Sequence, residues 1–506
     1  MNGAQSPVAA PRLGGLLAIV FLLNGTEFLQ SGMIAFGAGA IMGQINASPD
    51  DFVIAVIAYA AVAITALSVQ YWLVERLGWR AYVQWSVALF VAGGVICATS
   101  DSFGQFLLGR CVMALGGAGF MTAARLLINL IPPSPARMKG IAAFASALAV
   151  GNALAPWVAA SGVDADHWEV IFIVPAGLAI LAAVIATRIL PQTLAPDENR
   201  SQASPLLMVA ILLASMLALY GLQRAAFDFY DDAVPLLLCL AAGMAIGAAV
   251  LVHQRSHARP LLAVRRLGQP RYLAGLGLFA FCYVILGANN TMLPALLQRA
   301  LGAPFTAIGE VQSLGLLSAL LAFFAMITVM KKSPSPRKFY VVGFGSLLYF
   351  AWQLSRLNTG ADLVRDVLPA IAGFGVFLIL VQATTAIHSF TGLQTDAVGF
   401  SHGQMIKNMM SQVGIAIGIA GATLGLQWRT AEHSTVLAQR FVNGDPVFTA
   451  LRDQLAVPGG VQLATAQLGQ MLNQQAALLA GIDYFSLLMV VAAVSAVVMM
   501  TQRIFR

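Results

Sequence analysis

Two charged residues sit where charge is costly. Glu27 lies well inside the apolar run 13–36, and Arg110 lies inside the apolar run 105–127. A charge at that depth in hydrocarbon costs on the order of 3 kcal/mol or more, so each needs a partner or a function. Desolvation and a nearby guanidinium act on a carboxylate's proton in opposite senses. A conformational change that alters the distance between the two groups would therefore bind and release a proton. By helical rise, Glu27 is about 13 Å and Arg110 about 9 Å from the outer ends of their runs, so the two could meet. Gln30, Asn289, Asn290, Gln312, Gln382 and Gln412 are polar residues in similar apolar surroundings. They are candidates for lining a substrate cavity, although Asn and Gln also serve as hydrogen-bonding glue between membrane helices.

Other chemistries find no constellation. No nucleophile–base arrangement, glycine-rich phosphate loop or metal-ligand spacing is present, which disfavours ATP-driven transport and calls for no cofactor. Cys97, Cys111, Cys239 and Cys282 fall in apolar runs and read as small buried hydrophobes. The six histidines read as loop or span-end residues, and Lys407, near the inner end of its run, as a side chain that snorkels.

The elements that hold these residues follow from the solvent. With 59% hydrophobic and 10% charged residues and a mean hydropathy of +0.81, the 506-residue chain cannot hide its apolar surface in one water-soluble core, so that surface faces lipid. Runs near 13–36, 52–73, 81–98, 105–127, 140–161, 169–188, 204–222, 234–253, 272–295, 306–330, 339–356, 366–388, 401–427 and 482–502 predict about fourteen transmembrane helices. The first is too long for the h-region of a cleavable signal peptide and reads as a span. Placing both termini in the cytoplasm puts basic turns such as Arg76/Arg80, Arg137/Lys139 and Lys331–Lys338 inside. Asp50, Asp51, Asp101, Asp164, Asp166, Asp228, Asp231 and Asp232 then lie outside. This asymmetry accounts for the net charge of +7 without nucleic acid.

The organisation predicted is an all-α polytopic membrane protein with six spans (1–190), a two-helix insert with linkers (191–265) and six more spans (266–506). Basic turns after the second span and after its counterpart (Lys331, Lys332, Arg337, Lys338) make the halves echo one another. Such repeats build midplane sites open alternately to either side. The long polar segment 429–481 lies outside and reads as a small folded element. Asp445 could cap a helix that starts at Pro446, Pro458-Gly459-Gly460 would break it, and Gln462 to Leu479 would form a polar helix leading to the last span.

Several motifs run in register along the chain. Arg110 is followed by Gly116, Gly117 and Gly119, and the fifth span carries Gly151-Asn-Ala-Leu-Ala155-Pro156-Trp-Val-Ala159-Ala160. Glu75, Arg76, Gly78 and Arg80 occupy the turn after the second span. Trp168 to Gly177 and Gln474 to Phe485 lead into the sixth and the last spans, and Leu293 to Gln298 before Gly302 and Gln412-Val413-Gly414 with Gly418 are further short motifs. In these features the chain resembles the major facilitator superfamily, and within it the fourteen-span drug:proton antiporters. The fifth-span segment is similar to that branch's antiporter motif, with three glycines replaced by alanine, which keeps the face small. The resemblance implies alternating access between two six-helix bundles and a cytoplasmic gate at Glu75, Arg76, Gly78 and Arg80 whose charges form an ion-pair latch. The branch carries its first-span acid near the position of Gln30, one turn after Glu27, so proton coupling through Glu27 and Arg110 is read from the residues themselves. The resemblance further implies export of amphipathic organic compounds from a bacterial inner membrane, together with a periplasmic adaptor and an outer-membrane channel that segment 429–481 would help to dock. An uptake permease in the same fold, and a polytopic membrane enzyme, stay open as alternatives.

Overall fold

The computed structural model describes residues 10–132, 134–192, 194, 200–439, 446–456 and 460–505. Their regular structure is helical: α1 Ala10–Phe36, α2 Ala38–Gln44, α3 Pro49–Ala98, α4 Phe103–Gly117, α5 Phe120–Leu127, α6 Pro135–Asp164, α7 Val170–Ile189 and α8 Pro205–Ser256, followed by α9 Pro270–Arg299, α10 Phe305–Leu316, α11 Ser318–Lys332, α12 Pro336–Leu354, α13 Leu368–Ser389, α14 Ala397–Ala438, α15 Pro446–Ala456 and α16 Gly460–Thr501. Helix is the expected solution, since it satisfies backbone polar groups within each segment where lipid offers none. Starts are set by short polar caps. Ser48 and Asp51 form a reciprocal capping box ahead of Pro49, and the side chains of Ser102, Ser204 and Asp396 accept backbone N–H groups at the starts of α4, α8 and α14.

Twelve helices among the described residues are long and apolar enough to cross a membrane. The sequence reading of fourteen differs at two places. Pro49–Ala98 counts once, although Gly78, at φ 76° and ψ 163°, breaks it into two arms. That positive φ suits a residue without a Cβ. Pro336–Leu354 is not among the twelve, its first turn carrying Arg337 and Lys338. The insert is a hairpin whose arms meet at Asp232, which has non-helical torsions.

Helices α1 and α3 to α7 pack on one another, as do α9 to α14 with α16. Small residues form the seams. A Cβ on Gly116 would overlap the Ser86 carbonyl on the second arm of α3, and one on Gly418 would overlap the Val284 carbonyl, so α4 and α14 lie with backbones in near contact on α3 and α9. The α8 hairpin lies against both α3 and α14, sharing an apolar cluster with Ile57, Ala60, Ile64 and Ala416. Large apolar side chains such as Trp85, Leu206, Val252 and Leu321 are well exposed, as a lipid-facing surface requires.

The polar segment after span thirteen is less separate than expected. α14 and α16 continue unbroken beyond the apolar stretches, by about 15 Å over 429–438 and about 33 Å over 460–481. α15 begins at Pro446 and packs on α16. Asp445, Pro458 and Gly459 lie outside the described residues.

The seams carry a direct test. Gly116→Leu should destabilise the purified protein by about 1–3 kcal/mol, the usual effect of overpacking, seen as a lower melting temperature and loss of monodispersity. Gly421→Ala, where nothing lies within 4 Å of the added carbon, should be neutral or stabilising.

Candidate functional site

The two charged residues singled out by the sequence are brought into one cluster, though not as a bridge. Glu27 on α1 and Arg110 on α4 are both buried, at 7% and 6% exposure. They interact electrostatically, yet no ion pair joins them within 4.0 Å. Tyr59 on α3 stands in the cluster: the Arg110 guanidinium lies 3.9 Å over its ring, and its hydroxyl accepts from Gln30 Nε2 at 2.9 Å. Arg110 also turns Nη1 toward Met113 Sδ at 3.6 Å. Glu27 Oε2 and Gln30 Oε1 are buried without hydrogen-bond partners. A desolvated cation–π contact is worth about 2 kcal/mol, which explains how Arg110 persists without a formal counterion. A carboxylate oxygen left unsatisfied is a place where a proton, or a neighbour moved by a conformational change, can act.

The fifth-span motif serves packing. A Cβ on Gly151 would come within 2.7 Å of the Gly25 carbonyl on α1, and Ala155 faces Gly32 on the same helix. Ala155, Ala159 and Ala160 are fully buried. The opposite bundle presses on the same helix: Gly309 on α10 meets Ala160 and the Pro156 carbonyl, and the Trp157 N–H donates to Ser313 Oγ at 2.9 Å. With Phe36 against Phe305 at 4.5 Å, this closes one end of the interface between bundles.

The proposed cytoplasmic gate makes different bonds from those expected. Glu75 is buried and its Oε2 accepts from the Ser201 N–H at 2.8 Å and the Ser201 hydroxyl at 2.6 Å. Arg76 donates to the Ser201 carbonyl at 2.9 Å, and Arg80 to the Leu190 carbonyl at 3.0 Å. In place of an ion-pair latch, the charges tie the α3 kink at Gly78 to the linker flanking the α8 hairpin. The polar backbone of that linker offers better hydrogen bonding than the apolar surface nearby.

The cavity candidates separate. Gln382 borders a cavity of about 140 Å³ between the bundles, on the side of the basic turns. Asn290 and Gln312 border a smaller one of about 40 Å³ near the closed end. Asn289 is buried and accepts from the Tyr484 hydroxyl at 3.2 Å, which places it in the seam with α16. Gln412 is half-buried and borders neither cavity. Glu310, within the apolar run 306–330, is exposed near the start of α10.

Three further residues depart from expectation. Lys407 does not snorkel: it is 6% exposed, with its ammonium 5.2 Å over the Phe279 ring, and it borders the larger cavity. Arg125 on α5 borders the same cavity with its guanidinium 4.9 Å over Phe400. His402, expected at a span end, is buried with its ring 4.9 Å from Tyr71, across the bundle interface. Arg125 falls just past a glycine-rich stretch near the end of an apolar run, where a basic residue reads as topogenic, so only the fold shows which way it points.

Comparison with known proteins places these features. The family model of the Major Facilitator Superfamily matches residues 20–431. The chain is 25% identical over 392 residues to an uncharacterized MFS-type transporter, YhcA, of Bacillus subtilis, covering 74% of this chain and 69% of that one. It is also 25% identical over 403 residues to the putative multidrug resistance protein MdtD of Escherichia coli, covering 76% and 80%. Among solved structures, a bacterial homolog of the human lysosomal transporter Spinster, in an inward-facing and unoccupied conformation, aligns with a TM-score of 0.58 at 14% identity, over 98% of this chain and 99% of that one, a likeness of fold.

The stacking geometry predicts an asymmetric substitution series. Arg110→Ala should lower transport in proteoliposomes more than tenfold. Arg110→Lys should restore only a minor part of it, because an ammonium does not lie flat on the Tyr59 ring as a guanidinium does. Full recovery with lysine would show that a point charge suffices.

Proposed function

The chain belongs to the major facilitator superfamily of transporters, and on that premise we propose that it is a proton-coupled secondary exporter of amphipathic organic compounds, working by alternating access in a bacterial inner membrane with both termini cytoplasmic. We count fourteen spans in this reading, taking the arms of α3 on either side of Gly78 as two and including Pro336–Leu354. The observation that carries proton coupling is the Glu27 oxygen buried without a partner beside an arginine that is stacked on a ring and not ion-paired. A deformation of the first bundle that changes the Glu27–Arg110 interaction would let proton binding and substrate occupancy bias one conformational equilibrium, as exchange requires. Export, as against uptake, is supported by the small-residue motif from Gly151 to Ala160 at the bundle seam and by the similarity to the putative multidrug resistance protein MdtD.

A panel of one anionic, one cationic and one neutral amphipathic dye separates coupling from recognition. Glu27→Gln should abolish pH-gradient-driven movement of whichever dye the wild type transports, while leaving dye exchange without a gradient intact. Gradient-driven rates equal to wild type would remove Glu27 from the mechanism.

The helical extension formed by α14, α15 and α16 is the element we assign to docking a periplasmic adaptor, and through it an outer-membrane channel. Its base is locked: Asp483 on α16 receives Arg429 Nη2 at 2.6 Å and lies 2.7 Å from His433 Nε2, so the arms project as one stiff unit. Replacing 432–470 by a short flexible bridge should leave exchange in proteoliposomes intact and abolish adaptor co-purification and whole-cell resistance. Loss of exchange with adaptor binding retained would instead make the extension part of the transport pathway.

A further inference from the structure

The larger cavity has an electrostatic character that the sequence did not suggest. Two cations border it, Arg125 from α5 in the first bundle and Lys407 from α14 in the second, near enough to repel each other. Each is held only by an aromatic face, Phe400 under Arg125 and Phe279 under Lys407. Among the described residues neither has a carboxylate within 4.0 Å or a hydrogen bond. The nearby acid at the start of α14, Asp396, is already engaged by Arg266 at 2.8 Å and by the Gly399 N–H at 3.0 Å. Of the buried acids of the first bundle, Glu27 interacts with Arg110 and Glu75 accepts from Ser201.

Two like charges facing one mostly apolar cavity repel, and an anion between them would satisfy both. The remaining wall tells what the rest of such a ligand looks like. Phe144, Phe279, Phe323 and Tyr283 supply an aromatic surface, while Gln382 and Gln404 are neutral hydrogen-bonding groups. A small inorganic anion would leave the aromatic wall uncovered, and a cation would add a third positive charge.

We propose that this cavity is the substrate site and that it selects an organic anion: an acidic head held between Arg125 and Lys407, with an apolar, preferably aromatic body against the phenylalanines. Because the two cations come from different bundles, the bound anion also joins the bundles on the side of the basic turns. The proposal deepens the exporter reading by naming its substrate class, but it concerns binding, which is measured without a proton gradient.

The probes are 1-naphthaleneacetate, its neutral amide 1-naphthaleneacetamide, and the (1-naphthylmethyl)trimethylammonium cation, titrated into full-length protein in phosphatidylcholine nanodiscs. The acid should bind at least tenfold more tightly than the amide, and the cation more weakly than either. Arg125→Gln and Lys407→Gln should each reduce acid binding at least tenfold with little change for the amide, which also shows that the variants are folded. Lys407→Arg should keep the preference. Repeating the titration with phosphatidylglycerol in the disc identifies the source of the anion: unchanged acid binding supports a soluble ligand, whereas competitive loss would assign the site to a lipid headgroup and overturn the substrate claim. Equal binding of acid and amide, no measurable binding of the acid, or an unchanged preference in both glutamine variants would also overturn it. Acid binding without proton-driven movement would leave this site standing and remove the exporter reading. Proton-driven movement of a cationic dye by a protein that does not prefer the acid would do the reverse.

Discussion

Lipid offers neither hydrogen bonds to an unsatisfied polar group nor counterions to a charge, so each charge inside this protein must be stabilised by its immediate neighbours. Three cations that face the interior answer in the same way. Arg110, Arg125 and Lys407 lie over Tyr59, Phe400 and Phe279, and among the described residues none has a carboxylate within 4.0 Å. A ring face stabilises a desolvated cation without cancelling its charge. The charge therefore stays available to a partner that comes and goes. A full ion pair in the same place would resist separation, since breaking a buried pair costs several kcal/mol.

The same solvent explains the seams. With no hydrophobic drive between helices in a bilayer, close backbone approach supplies the association. Gly116 of α4 against the second arm of α3, Gly151 of α6 against α1 and Gly418 of α14 against α9 serve this within bundles, and Gly309 against Ala160 and Pro156 serves it between them. The α6–α10 contact between the bundles has Ser313 to Trp157 as its polar anchor. Faces built of small residues can part as rigid bodies, which is the motion that alternating access asks of two bundles.

Much of this was legible in sequence because lipid exposure leaves a one-dimensional signal. The long apolar runs gave the helices, Pro446 gave the start of α15, and the isolated Glu27 and Arg110 gave the cluster. The illegible parts depend on helix rotation and on partners far along the chain. Lys407 and Arg125 look like boundary charges in sequence; that they point inward follows from packing against Phe279 and Phe400, residues more than a hundred positions away. Glu75 and Arg76 read as a latch because their spacing says nothing of Ser201, which meets them from beyond the first bundle. The fourteen runs and the twelve long apolar helices among the described residues differ for a related reason, since a kink at one glycine joins two runs in one helix and two basic residues lower the hydropathy of another.

The two charge clusters also differ in what they can sense. Glu27, Tyr59 and Arg110 belong to α1, α3 and α4, all in one bundle, so their arrangement responds to deformation of that bundle. Arg125 and Lys407 straddle the interface, so theirs responds to the approach of the bundles. A mechanism joining proton and substrate needs a path from one to the other. Two candidates are visible: α1 seats on α6 through Gly151 and Ala155, and α6 meets α10 through Ala160; and Glu27 lies within electrostatic reach of Tyr283, which borders the larger cavity. The first is mechanical and would transmit a shift of α1 to the closed end. The second is a field effect that acts directly on the cavity wall and falls off as the bundles separate. The electrostatic route requires no displacement of α1, so it would persist in a protein locked in one conformation, whereas the mechanical route would vanish there. Cross-linking the α6–α10 contact thus separates them, because only the field effect lets the ionisation of Glu27 alter ligand affinity in the locked protein.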